Sequence, residues 1–199
     1  MGILRLICFI LLLFILTIFP LPVFANHESP AVFVRGVVDQ YLDILKSEKD
    51  KSVQKDKVLD LIKSSFDFPD MAETMLRGLE VKDSEKSAFI DLFPMLLQMR
   101  YNIFIKLPGS LVVEFSRYEV YDSETKAIVY TRTKISPHDF ALNYKLHHVD
   151  GKWKIQDITV DSISLIGNYR AQIHKIITRI SFSDFLSNLE KMVKSKTSS

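Results

Sequence analysis

Two carboxylates, Asp157 and Asp161, stand four residues apart on a stretch with strand-like alternation, and Arg170 follows in the helix after it. An acid held in a cavity backed by a sheet suits proton abstraction, because burial raises a carboxyl pKa towards neutrality. The structural use of such an acid is the commoner one: Asp157 is expected to accept hydrogen bonds from a neighbouring turn or from Arg170. Arg170 sits at a helix first turn, where the dipole disfavours a cation, so it needs a partner. That partner is either Asp157 or Asp161, as a strand-to-helix clasp, or an anionic group on a bound molecule. The five histidines suggest no metal site. His147 and His148 are neighbours in a strand and point to opposite faces, and His174 falls on the surface or rim of a helix. The chain contains no G-x-x-x-x-G-K, G-x-G-x-x-G, G-x-S-x-G or H-E-x-x-H. No catalytic residue, metal ligand or cofactor is therefore assigned, and the chain is not expected to be an enzyme.

The first 25 residues have the form of an export signal. Arg5 precedes an apolar run from Leu6 to Phe19, broken only by Thr17 and ended by Pro20 and Pro22, and Val23-Phe24-Ala25 places small residues before a cut after Ala25. A spanning helix needs about 20 apolar residues, and this run reaches that length only through both prolines. Cys8 is the one cysteine, so the mature chain, residues 26–199, has no thiol for a disulfide or lipid attachment and must rely on its core. Its length suits a single domain that buries about 70% of its unfolded surface. Loss of Arg5 takes the 26 basic residues to 25 against 24 acidic ones, a net charge of +1. That balance gives no reason to expect a nucleic-acid partner, which prefers a basic stripe, or strong electrostatic capture by an anionic membrane.

Helical spacing comes first along the mature chain. Pro30 suits a first helical turn, and Val34, Val37, Val38, Tyr41, Leu42 and Leu45 share a face up to Lys46. Residues 46–57 mix both charges densely and read as a solvated helix–helix connection. A second short face follows at Val58, Leu61 and Ile62, then a turn or two around Met71, Met75 and Leu76, closed by Gly78. A longer helix opens at Ser84, with Pro94 predicting a kink or a late start and Pro108-Gly109 ending it. From there the period becomes two. Four strands are expected, Ser110–Val120, Lys126–Ile135, Phe140–Val149 and Lys152–Ser162, joined by short turns into an antiparallel meander. The period changes again near Leu165, where Ile166, Tyr169, Ile173, Ile176 and Ile180 step by three and four. Helices on both sides of a run of strands indicate α+β. Phe140, Leu142, Tyr144 and Leu146 share one strand face, a half-buried pattern that spacing alone assigns to an ordinary core.

The wording W-K-I-Q-D-I-T-V at Trp153–Val160, with S-I-S-L-I-x-N-Y-R-x-Q after it and F-D-F-x-x-M-A at Phe66–Ala72, resembles the MlaC family, also called the toluene-tolerance auxiliary component family, of periplasmic phospholipid-binding proteins. Trp153, Ile155, Asp157, Ser164, Leu165, Tyr169 and Arg170 carry the match, which extends from the Val34 helix through Leu189. Ser162 departs from it, standing where members commonly carry glycine after the acid, and only glycine takes positive φ freely. The resemblance implies an NTF2-like fold: a strongly curved four-stranded antiparallel sheet wrapped by helices around an apolar cavity. It implies a monomeric periplasmic carrier that moves phospholipid between the outer and inner membranes and maintains outer-membrane lipid asymmetry. Its partners would be an inner-membrane ABC transporter with a substrate-binding ring and an outer-membrane lipoprotein–porin complex. The wall would be built from Val113, Phe115, Val129, Leu142, Tyr144, Val160, Ile163, Leu165, Tyr169 and Ile173, with the phosphate of a lipid as the anionic alternative for Arg170. A hopanoid- or sterol-type carrier and an NTF2-like periplasmic enzyme remain the alternatives.

Overall fold

The two-residue alternation after Leu111 folds as a sheet, and the segments of three-and-four spacing around it fold as helices. The computed structural model describes residues 28–105, 111–135 and 138–197. The expected leader, the Pro108-Gly109 helix end and residues 136–137 of one expected turn lie outside the described residues. In chain order the elements are α1 (Pro30–Ser47), α2 (Lys51–Ser65), α3 (Phe68–Leu76), α4 (Asp83–Ile105), β1 (Leu111–Tyr121), β2 (Lys126–Ile135), β3 (His138–Val149), β4 (Lys152–Val160), β5 (Ile163–Ser164), α5 (Leu165–Ile177) and α6 (Phe182–Thr197). The fold is α+β, with six described helices and one antiparallel sheet in the order β1-β2-β3-β4-β5. No described helix is long and apolar enough to cross a membrane.

Local chemistry sets the helix ends. The charged segment expected to be a connection is mostly helix: α2 begins at Lys51, and only residues 48–50 separate it from α1. Asp50 makes this possible by accepting the amides of Ser52 and Val53 as an N-cap. Gln54, 1% exposed, donates its side-chain amide to the carbonyls of Leu45 and Glu48 at 3.2 and 3.1 Å, satisfying the end of α1. Asp67 caps α3 through the amide of Asp70, and Gly78 follows its end at φ +89°. Pro94 lies inside α4, which starts at Asp83 with no delay.

The sheet has five strands where four were expected. Rather than continuing to Ser162, β4 stops at Val160; Asp161 and Ser162 turn at φ +46° and +72°, and Ile163 and Ser164 pair back onto Val160 and Thr159. Asp150 and Gly151 turn in the same left-handed region between β3 and β4. Register shifts at Phe115/Arg117 in β1 and at Gln156 in β4, opposite the Lys145–Leu146 step of β3, interrupt the alternation. The second shift lets Ile155 and Ile158 share one face while placing Asp157 on the other, opposite Lys145.

Two apolar clusters hold the molecule together. One joins α1 to the sheet through Val34, Val38, Val129, Leu146, Trp153 and Ile155. The other joins α3, α4, α5 and α6, with Phe89, Phe93, Met71 and Met75 fully buried and ring contacts from Phe93 to Phe68, Phe89 and Tyr169. Phe66 packs against both clusters. Its neighbour stitches them, because the Asp67 amide donates to the Ile155 carbonyl at 2.9 Å.

Candidate functional site

Between the two clusters the apolar side chains do not meet, and a cavity of about 210 Å³ is left. It exceeds the apolar hole of about 150 Å³ that stays dry and admits benzene. The sheet supplies one wall, with Val113 from β1, Thr133 from β2, Phe140, Leu142 and Tyr144 from β3, and Ile155, Ile158 and Val160 from β4. The register explains the convergence: Thr133 opposes Phe140, Leu142 opposes Val160, and Tyr144 opposes Ile158, so these side chains rise from the same face. Helices close the other side, through Val37, Val38 and Tyr41 of α1, Val58, Leu61 and Ile62 of α2, Leu97 and Gln98 of α4, and Leu165 at the start of α5.

Among the described residues the lining contains no charged side chain. Its two phenols are neutral as well: burial pushes the Tyr41 hydroxyl up to about 12 and raises that of Tyr144 further, with Tyr41 adding to the effect. An uncharged apolar space can hold hydrocarbon. Among the described residues no group of three or more His, Cys, Asp or Glu is placed to hold a metal ion.

Of the residues proposed from sequence for the wall, Val113, Leu142, Tyr144, Val160 and Leu165 line the cavity. Phe115 lies farther along β1 under the guanidinium of Arg35, 4.1 Å from its ring centroid, and Val129 is sealed in the sheet cluster. Tyr169 and Ile173 belong to the helical cluster. Ile163 is 67% exposed, because the turn at Asp161 and Ser162 carries it out of β4. Sequence reasoning missed the helical wall. The apolar faces of α1 and α2 were visible, and nothing in their spacing separates residues that touch a core from residues that border a void.

Asp157 is away from the cavity and makes a clasp, though not with Arg170. It is 7% exposed, accepts the Ser164 hydroxyl at 2.7 Å and the Ile166 amide at 3.1 Å, and lies 3.7 Å from Lys145 Nζ. Ser164 Oγ in turn accepts the Gly167 amide at 2.8 Å as the N-cap of α5. Strand and helix are thus tied by an acid and a hydroxyl. Arg170 instead donates to the Arg77 carbonyl at 3.1 Å, just past the end of α3, where a cation complements the helix C-terminus. Asp161 accepts the Ala141 amide at 2.9 Å and fixes its turn against β3. Three histidines are committed separately: His147 Nε2 lies 2.9 Å from the Asp67 carboxylate, His148 packs edge-on to Trp153, and His174 Nε2 lies 3.2 Å from the Met75 carbonyl.

The fold is similar to that of a phospholipid-binding protein from Ralstonia solanacearum, solved in complex with a phospholipid, with a TM-score of 0.75 at 18% identity over 84% of this chain and 98% of that one. No curated protein matches the sequence. The family model described as MlaC protein matches residues 35–191, from the second turn of α1 to the body of α6. With the whole sheet and every cavity-lining residue inside that span, the chain belongs to the MlaC protein family.

Proposed function

We propose that this protein is a periplasmic carrier of glycerophospholipid, exported through cleavage near Ala25, with residues 26–199 as one lipid-binding domain of NTF2-like form. The observation that carries the reading is the uncharged apolar cavity left open between two otherwise closely packed clusters. Physical need supports it. Moving an acyl chain of some sixteen carbons through water exposes methylenes at about 0.8 kcal/mol each, so on the order of 12 kcal/mol per chain opposes desorption. A diacyl lipid enters tails first and keeps its phosphate near water, where no charge is buried. Family membership supports the rest of the proposal. The carrier acts as a monomer between the inner and outer membranes in an Mla-type system that maintains outer-membrane lipid asymmetry, loading and unloading at an inner-membrane ABC complex with a substrate-binding ring and at an outer-membrane lipoprotein–porin complex.

The absence of any charged side chain among the described lining residues favours a carrier over an NTF2-like enzyme. Mass spectrometry of the organic extract of the purified protein tests the lipid class: glycerophospholipid is expected, whereas hopanoid or sterol would replace the proposal with a carrier for rigid polycyclic lipids.

A further inference from the structure

Thr133 is the exception in the cavity. It is 2% exposed, it lines the space, and its hydroxyl is buried without a hydrogen-bond partner among the described residues. Its neighbour on the same face of β2, Thr131, is equally buried and donates its hydroxyl to the Leu142 carbonyl across the sheet. Buried hydroxyls in native proteins are normally paired, so an orphan one on a residue that lines a cavity calls for a ligand group. The polar neighbour in the lining, Gln98, is already engaged, donating its amide to the Lys55 carbonyl.

The position of Thr133 narrows the chemistry. It belongs to the cross-sheet row Val113–Thr133–Phe140, at one end of the cavity. The other end is formed by Tyr144 and Ile155, beyond which Leu146, Trp153 and Ala127 pack solid. Phe140 to Tyr144 spans about 14 Å along β3 at 3.4 Å per residue. One leaflet of a bilayer's hydrocarbon core is about 15 Å deep, half of 30 Å. A chain laid along the sheet with its far end at Tyr144 therefore has its polar attachment near Thr133. A phosphate there would lack a counter-charge among the described lining residues; a neutral carbonyl needs a single donor.

Resting on the carrier reading above, we infer that Thr133 donates a hydrogen bond to the acyl ester carbonyl of the bound lipid and makes the cavity selective for ester-linked over ether-linked chains. The experiment is competition against a fluorescent phospholipid, comparing diacyl and diether phosphatidylethanolamine of equal chain length. Wild type prefers the diacyl form about fivefold, the effect of one neutral hydrogen bond. Thr133→Val binds both forms equally and, lipid-free, unfolds no lower than wild type because the orphan hydroxyl is gone, while Thr133→Ser retains the preference. Equal affinities in wild type, or a preference that survives in Thr133→Val, overturn the inference and leave a buried water as the hydroxyl's partner. If wild type binds neither lipid, the carrier reading itself fails and the inference falls with it.

Discussion

Replacing Asp157 by alanine separates a structural acid from a functional one. The carboxylate holds two hydrogen bonds, from the Ser164 hydroxyl at 2.7 Å and the Ile166 amide at 3.1 Å, and the second is buried. Hydrogen bonds to a charged group contribute about 1.5–3 kcal/mol each, and removal leaves the amide unsatisfied at the start of α5. The Lys145 pair adds little, because the lysine is 42% exposed and 3.7 Å away. The expected loss is about 3–5 kcal/mol, which lowers the melting temperature by about 10 °C in a domain of this size. Asp157→Asn retains one acceptor oxygen and costs about half as much. Ser164→Ala removes a donor to Asp157 and the cap of Gly167, so the double mutant loses less than the sum of the singles. Thermal unfolding followed by circular dichroism measures stability, and lipid extraction from the folded fraction measures cargo. Cargo per folded molecule stays unchanged, since Asp157 does not line the cavity. An unshifted melting temperature, or lipid lost from a fully stable protein, refutes the reasoning.

Leu142→Asp places a carboxylate in the apolar wall beside Val160, and co-purifying lipid falls at least tenfold, more than 1.4 kcal/mol of binding; unchanged lipid in a folded protein removes β3 from the wall. Ser162→Gly relieves a non-glycine residue at φ +72°; with a strain of about 1–2 kcal/mol offset by the glycine's chain entropy, stability rises by about 0.5–1 kcal/mol, and a lower denaturation midpoint contradicts it. Below pH 10 the folded and unfolded chains both hold the Tyr41 proton; from pH 10 to about 12 the unfolded chain ionises first, so stability falls by about 1.4 kcal/mol per pH unit. Tyr144, raised by the same burial, extends the decline. Urea titrations from pH 9 to 12 check this by comparison with Tyr41→Phe, and identical slopes in both proteins contradict it.

Much of the architecture was legible because most elements announce their period and several announce their ends. Pro30, Gly78 and the Asp150-Gly151 turn fall where local backbone preferences place them. Charge density misled between residues 46 and 57, because Asp50 as a cap and Gln54 as a buried bracket turn a polar segment into the first turns of α2. The end of β4 was hidden for a related reason: Asp161 and Ser162 take left-handed conformations without a glycine, held by the Asp161 bond to Ala141. Half of the proposed wall residues line the cavity, those of β3 among them, since β3 keeps strict alternation throughout. The misses have other causes: Phe115 shares its face with Val113 but lies farther along β1 under Arg35, and Ile163 is carried out of β4 by the turn at Asp161 and Ser162. Thr133 was invisible to a search for apolar stripes, being a polar residue on the apolar face.

Native mass spectrometry of the mature protein, purified gently from a lipid-containing bacterial host, tests the central claim most directly. The account predicts a folded monomer carrying the added mass of a glycerophospholipid, released as intact lipid on collisional activation and depleted in Leu142→Asp. A well-folded monomer of bare protein mass that also takes up no phospholipid from vesicles would contradict it.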